Sequence, residues 1–416
     1  MAVSDETESP TTTADTKDPR HAAVRARWAV TAVFFLNGMI ISAWIARVPS
    51  IQADLRCSDG ELGLILSTFG VAAIVAMQFV GALVGRLGSA LVIRTTLLIA
   101  PLLLACVGLS HNAAALAVSL LLLGASHGTI DVAMSAHAVA VERTLKRPVM
   151  NGCHAAWGIS AVLSSLIGAG STRAGISPGT QFAVMGAVLL LAAVPATARL
   201  LPSATDRGPA PRTPEAGQTK TNRRAGWRGP VLVFGALGGI LMVCEGAVNN
   251  WSGIFLHHER GSTLAAASLG YTAYVACQSA GRLVGDRLNR RYPAVTLFRT
   301  SAVIGVLGLA VAVLVPSGTA AVIGFGVLGI GTALPLPMLF SAAGHAGGDG
   351  PGAAAFVSRF TTFTYGGVLL GPPLVGWCAE LTGLGWTLTV LIPLMAVVAF
   401  KARIVAVADE GRADTA

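Results

Sequence analysis

The sequence predicts an all-α membrane protein: twelve transmembrane helices in two pseudo-twofold-related six-helix bundles. Three observations carry this expectation. About twelve apolar runs of roughly 20 residues are each long enough to cross a ~30 Å hydrocarbon core as a helix. The 29 Lys and Arg fall on alternate connections between those runs. The two halves of the chain also repeat each other at a nearly constant spacing.

The even-numbered connections and both tails, with the helix turns that flank them, carry 24 of the 29 basic residues. The odd-numbered connections carry only Arg47, Arg56, Arg173 and Arg260, and Arg359 sits inside an apolar run. Basic loops stay on the cytoplasmic side, so both termini are expected in the cytoplasm and the chain in the cytoplasmic membrane. Only 12% of residues are charged and 53% are hydrophobic, about half the charge of a soluble domain. A pI near 9.7 would point to nucleic acid in a soluble protein. Here topology accounts for the basic excess, and no nucleic-acid partner is expected. The six cysteines are scattered without a CxxC pair and read as small packing residues, not a metal or disulfide framework.

In order, the first half is predicted to hold helices at 28–47, 62–84, 90–109, 113–141, 152–170 and 181–200. The second half holds 229–250, 264–285, 296–315, 319–342, 353–377 and 382–402. Ser58 and Glu61 have capping-box spacing and set the start of the second helix. Residues 1–27 form a polar tail with Lys17, Arg20, Arg25 and Arg27 and no evident cleavable signal, and 403–416 form a second cytoplasmic tail. Residues 201–228 are rich in Pro, Gly, Thr and Arg and lack apolar periodicity; they read as a disordered cytoplasmic linker between bundles 28–200 and 229–402.

The repeat is visible in four places. Trp44 pairs with Trp251 at a shift of 207, Arg86 with Arg287 at 201, and Leu123-Gly124 with Leu328-Gly329 at 205. Trp157-Gly158 and Gly168 pair with Tyr365-Gly366 and Gly376 at 208. A duplicated six-helix unit places a ligand site between the halves near the membrane midplane, exposed alternately to each side as the halves rock.

The loop after the second helix reads Gly81-Ala-Leu-Val-Gly85-Arg86-Leu-Gly88, and the loop after the eighth reads Gly281-Arg-Leu-Val-Gly-Asp286-Arg287-Leu-Asn289-Arg290-Arg291. Both resemble the G-x-L-x-D-R-x-G-R-R signature of the major facilitator superfamily. The glycines permit close helix approach. An acid favours the positive end of a neighbouring helix. The arginines latch the closed cytoplasmic gate and anchor the loop at the headgroups. The resemblance thus implies a gate of Arg86, Asp286, Arg287 and Arg290. Gly85 replaces the expected acid in the first copy, so the latch should be asymmetric. Ala43-Trp44-Ile-Ala-Arg47-Val-Pro49, Asp131-Val-Ala-Met134 through Val141-Glu142, Glu245-Gly-Ala-Val-Asn-Asn-Trp251-Ser and Gly366-Gly-Val-Leu-Leu-Gly371-Pro372-Pro373 are similar to the YbjJ-like and fucose-permease-like branch. In fucose-permease-like proteins an acid of the fourth helix takes part in proton-coupled sugar uptake, and Asp131 resembles it in helix and depth.

Ionisable groups inside apolar runs are costly in lipid and mark candidate sites. Asp131 lies within the fourth helix with His127 one turn before it, as a proton acceptor or substrate ligand, or as a structural pair with His127 or an arginine. Glu245 lies within the seventh, with Asn249 one turn on. Amides and aromatics near an acid suit a polar solute, while Trp251 itself reads as an interfacial-belt residue. Arg359 binds an anion, pairs with Asp131 or Glu245, or snorkels to the inner surface. Asn37 is mid-membrane and lines the cavity or packs. His154 opens the fifth helix as a gate or structural histidine, and His257-His258 reads as a solvated loop pair. Gly324, Gly326, Gly329 and Gly331 leading into Pro335 and Pro337, and Gly371 into Pro372 and Pro373, suit bends or close packing.

The function expected is secondary active transport of a small solute, sugar-like or otherwise polar, by alternating access and coupled to protons. The alternative is a proton-antiport efflux pump for an amphipathic metabolite or drug. Aromatics at 6% favour the first. The expected partners are a small-molecule substrate, protons and the bilayer, with the chain acting as a monomer. No enzyme motif, cofactor site or ATP-binding P-loop is legible.

Overall fold

The computed structural model describes residues 19–145, 149–202, 229–346 and 351–406. Of the linker and tails expected at 201–228, 1–27 and 403–416, residues 203–228, 1–18 and 407–416 lie outside the described residues, while 19–27 are helical and 403–406 belong to a 3-10 turn. The first half holds α1 (Pro19–Ile45), α2 (Val48–Leu55), α3 (Asp59–Leu87), α4 (Ser89–Gly108), α5 (Ala113–Leu145), α6 (Met150–Arg173) and α7 (Pro178–Ala198). The second holds α8 (Gly229–His258), α9 (Leu264–Arg291), α10 (Ala294–Leu314), α11 (Gly318–Thr332), α12 (Pro335–Ala346), α13 (Pro351–Thr382) and α14 (Leu384–Phe400), then a 3-10 turn, Lys401–Ala406.

Local chemistry sets the ends. Ser58 Oγ accepts from the Glu61 N–H at 3.3 Å, and Glu61 Oε2 accepts from the Ser58 N–H at 3.1 Å, completing the expected capping box. Ser177, Thr263 and Ser317 cap α7, α9 and α11 with their side-chain oxygens. Gly88 (φ +84°) alone joins α3 to α4, and Gly383 (φ +83°) alone joins α13 to α14. Both occupy a region that residues with a Cβ avoid.

Three elements differ from the expectation. The eight-residue α2 is too short to show a hydrophobic period; it forms because Pro49 fits its first turn while Val48, Pro49 and Ile51 are buried. Helix α8 runs to His258, well past the expected end at 250, so His257 and His258 close a helix instead of lying in a loop. Asn249 and Asn250 are polar residues of an interior helix face, which single-sequence reading takes for a terminus. The predicted helix 319–342 is broken between Thr332 and Pro335, a residue without an N–H. By contrast α13 passes unbroken through Pro372 and Pro373. Gly324 and Gly331 serve packing: a Cβ on Gly331 would strike the backbone of Gly305 on α10, and one on Gly324 the backbone of Ala312.

Ten segments of the described chain are long and apolar enough to cross a membrane by composition alone. α9 and α13 complete twelve crossings, since 28 and 32 residues span well over 30 Å. α9 is depleted in apolar character by Arg282, Asp286, Arg287, Arg290 and Arg291, and α13 carries Arg359 and Glu380. These two helices make most of the contact with the first half, α9 on α6 and α13 on α3, with α8 also touching α2. Polar character concentrates where the halves face one another.

The halves meet at the end opposite the termini, called the far end. There Ser42 Oγ and Tyr271 Oη share a hydrogen bond at 3.0 Å, Ser165 bonds Thr272, and Ser268 Oγ donates to the Ala46 carbonyl at 2.9 Å. Along α3 the seam then opens. A Cβ on Gly63 would sit 2.8 Å from the Pro372 carbonyl of α13; on Gly70 the first α13 atom is 3.9 Å away; on Gly81 and Gly85 nothing among the described residues lies within 4 Å. Along α6 a Cβ on Gly158 would still strike Ser279 of α9, whereas one on Gly152 has no neighbour within 4 Å among the described residues. The result is a wedge, sealed at the far end and open at the termini end.

Candidate functional site

A cavity of about 400 Å³ lies in that wedge. Its walls include His154 and Trp157 of α6, Gln278, Ser279, Arg282 and Asn289 of α9, and Ala333 and Leu334 at the break between α11 and α12. The unwound turn lets α11 and α12 bend around it.

On the first half, Asn37 of α1 is 2% exposed and its Oδ1 faces Nδ1 of His127 at 3.4 Å. The His127 ring stacks on Phe69 of α3 with centroids 5.5 Å apart, and Phe69 meets Trp44 at 5.2 Å. Asn37 Nδ2, Trp44 Nε1 and Ser126 Oγ are buried without a hydrogen-bond partner among the described residues. Asp131, one turn from His127, is half-buried and makes no ion pair or hydrogen bond among the described residues. Its charge acts on His127, on His154 of α6 and on Tyr365 of α13, so it faces both halves.

On the second half, Glu245 of α8 is half-buried and acts electrostatically on Tyr271 and Tyr274 of α9. Tyr274 Oη bonds Thr332 Oγ1 at 3.0 Å and accepts from Gln278 Nε2 at 3.0 Å, tying α9 to the end of α11. Asn249 is half-buried, and Asn250 donates to the Gly246 carbonyl of its own helix at 2.8 Å. Trp251 is fully buried, so it is a packing residue of the second half and not a member of an interfacial belt. Arg359 is half-buried on α13 and is not among the residues that line the cavity. Arg86 and Arg287 are exposed at the termini end; the side chains of Asp286 and Arg290 lie outside the described residues.

Tyr271, Tyr274, Gln278 and Arg282 do not stand out in the sequence. They fall at i, i+3, i+7 and i+11, one stripe of α9. That polar stripe on a membrane-length helix is the signal that could have found them. Arg47, expected at the end of the first helix, is 2% exposed. It donates to Gln181 Oε1 and the Ile176 carbonyl at 2.8 Å each, pinning the α1–α2 corner to α7 and the loop before it. Burial pushes its pKa below the usual guanidinium value.

Twelve crossings, two bundles and a polar cleft between them define a multi-pass membrane transporter. The chain belongs to the Major Facilitator Superfamily, whose family model matches residues 28–357. It is 30% identical over 376 residues to an uncharacterized MFS-type transporter of Yersinia pestis, covering 89% of this chain and 94% of that one. Its fold is similar to that of the nucleoside transporter NupG, with a TM-score of 0.71 at 16% identity over 91% of this chain and 98% of the other. A variant of the E. coli fucose:proton symporter FucP gives 0.56 at 16% identity over 92% and 99%. These likenesses place the resemblance read from the motifs on the level of fold.

Proposed function

We propose that the chain moves a small polar solute across the cytoplasmic membrane by alternating access, with protons as the coupling ion. The observation that carries this reading is the wedge between the halves, flanked by two membrane-depth acids, Asp131 and Glu245, each only half-buried. An acid at such depth is costly unless water, a solute or a proton reaches it. The positive-inside bias assigns the termini end to the cytoplasm, so the open wedge corresponds to the inward-open state. Support for a polar solute comes from Gln278, Ser279, Arg282, Asn289 and His154, which share the lining with Leu283, Leu297, Leu334, Pro337 and Met338 and with one aromatic, Trp157. Nucleosides and fucose, named for two fold relatives, belong to this chemical range.

Asp131 is assigned the proton and, with His127, Asn37 and Asn249, the polar contacts to the solute. Glu245 serves the second half, and Arg359 balances charge on α13. Arg86, Asp286, Arg287 and Arg290 close the cytoplasmic end in the opposite state. Counterflow in proteoliposomes across a panel of polar solutes tests the reading. Exchange of at least one is expected, and its acceleration by an imposed pH gradient is the mark of proton coupling. No exchange of any solute would overturn it.

A further inference from the structure

We infer that the cavity binds a negatively charged group, and that Arg282 is the residue that holds it. This rests on the transport reading above and adds a substrate class to it: a small polar solute carrying an oxyanion, carboxylate or phosphate. Arg282 is exposed, lines the cavity, and has no carboxylate or hydrogen-bond partner among the described residues. It stands 18 residues along α9 from Leu264, about 27 Å at 1.5 Å per residue, at the termini-side mouth of a ~30 Å core. A guanidinium facing the open wedge there is available to a charged group of the solute. Its charge acts on His154 across the wedge and on Tyr274 two turns nearer the midplane, so the group lies between the halves.

The neighbours suit an oxyanion. Gln278 is one turn away on the same stripe, and His154 and Trp157 bring ring N–H groups on the facing wall. A guanidinium presents a planar fork that binds two oxygens at once. The internal repeat isolates the feature: at the shift of 201 that pairs Arg86 with Arg287, Arg282 corresponds to Gly81, which has nothing within 4 Å of its Cβ position among the described residues. The charge therefore stands on one half only. Asp131 and Glu245 repel an anion when ionised. Their protonation lifts that repulsion, so an anion and a proton favour each other's entry.

The test uses the full chain with Arg282→Gln and Arg282→Lys. Probes are inorganic phosphate, galacturonate and galactose 6-phosphate against galactose, and glycerate and glycerol 3-phosphate against glycerol. Thermal shift in detergent reads binding, and proteoliposome counterflow reads transport. An oxyanion is expected to raise Tm where its uncharged analogue does not. Arg282→Gln should weaken the apparent affinity about tenfold or more, with partial recovery in Arg282→Lys. Should Arg282→Gln not fold, protection of Arg282 from phenylglyoxal by the same oxyanions in the unsubstituted protein decides the matter: protection supports the site and its absence removes it. Equal shifts with the neutral analogues, an anion effect that survives Arg282→Gln, or no shift with any oxyanion overturns the inference. Neutral-solute counterflow indifferent to Arg282→Gln removes the anion site and leaves transport standing. Arg282-dependent binding without counterflow of any solute does the reverse.

Discussion

The carboxylate of Glu380, on α13, accepts the backbone N–H of Gly60 at 2.6 Å, at the start of α3 in the other half. The same oxygen accepts from Ser58 Oγ at 2.9 Å. A negative charge thus sits on the positive end of a helix across the seam between the bundles. Replacing Glu380 with Ala should loosen the far-end closure. Cys57, the residue before Ser58, is half-buried, with its thiol pushed above the usual pKa chiefly by burial. Site-resolved labelling of Cys57 should speed up about threefold in Glu380→Ala. An unchanged rate would mean that the far end is held by apolar packing and by the hydrogen bonds from α9 to α6 and to the α1 end alone.

Asp131→Asn should abolish proton-driven accumulation while sparing solute exchange, because an amide keeps the polar contact and cannot carry the proton. Proteoliposomes loaded with the identified solute, with and without a pH gradient, separate the two. Equal loss of both would assign Asp131 to the solute alone.

Gly331→Val forces a side chain into the backbone of α10, whereas Gly81→Val enters open space. The first should cost about 1–3 kcal/mol of stability by overpacking, and the second should be near neutral. Melting of the two variants in detergent checks this; similar Tm values would contradict the packing described for α10 and α11.

Arg47→Leu leaves Gln181 Oε1 and the Ile176 carbonyl without their donor in a buried corner. The expected loss is about 2 kcal/mol, seen as a lower Tm. Arg47→Lys should recover only part of it, since an ammonium lacks the fork that reaches both acceptors.

The crossings are legible in the sequence because a bilayer demands about 20 apolar residues per helix, a pattern that needs no partner to be seen. α9 is the informative exception. Its last turns hold five charged residues, yet the internal repeat requires a helix there, and one forms. α2 is hidden since eight residues give no period. The acids Asp131 and Glu245 stand out against their apolar surroundings. Tyr274, Gln278 and Arg282 do not, because on a helix already rich in polar residues their common face emerges only when neighbours define an inside. Trp251 misleads for a related reason: an indole near a helix end looks the same in sequence whether it meets headgroups or another helix.

Gly88 and Gly383 each tether two spans by one residue. The two Cα–Cα steps across one residue reach at most about 7 Å, so the joined ends of α3 and α4, and of α13 and α14, cannot part further than that and each pair moves together. Leu91, Ile99, Leu102, Trp386, Val390 and Phe400 lie exposed on α4 and α14, where acyl chains surround them. Each rocking cycle must therefore displace lipid as well as protein. Turnover should slow in thicker bilayers, making acyl-chain length a brake on the cycle even when solute and proton are saturating.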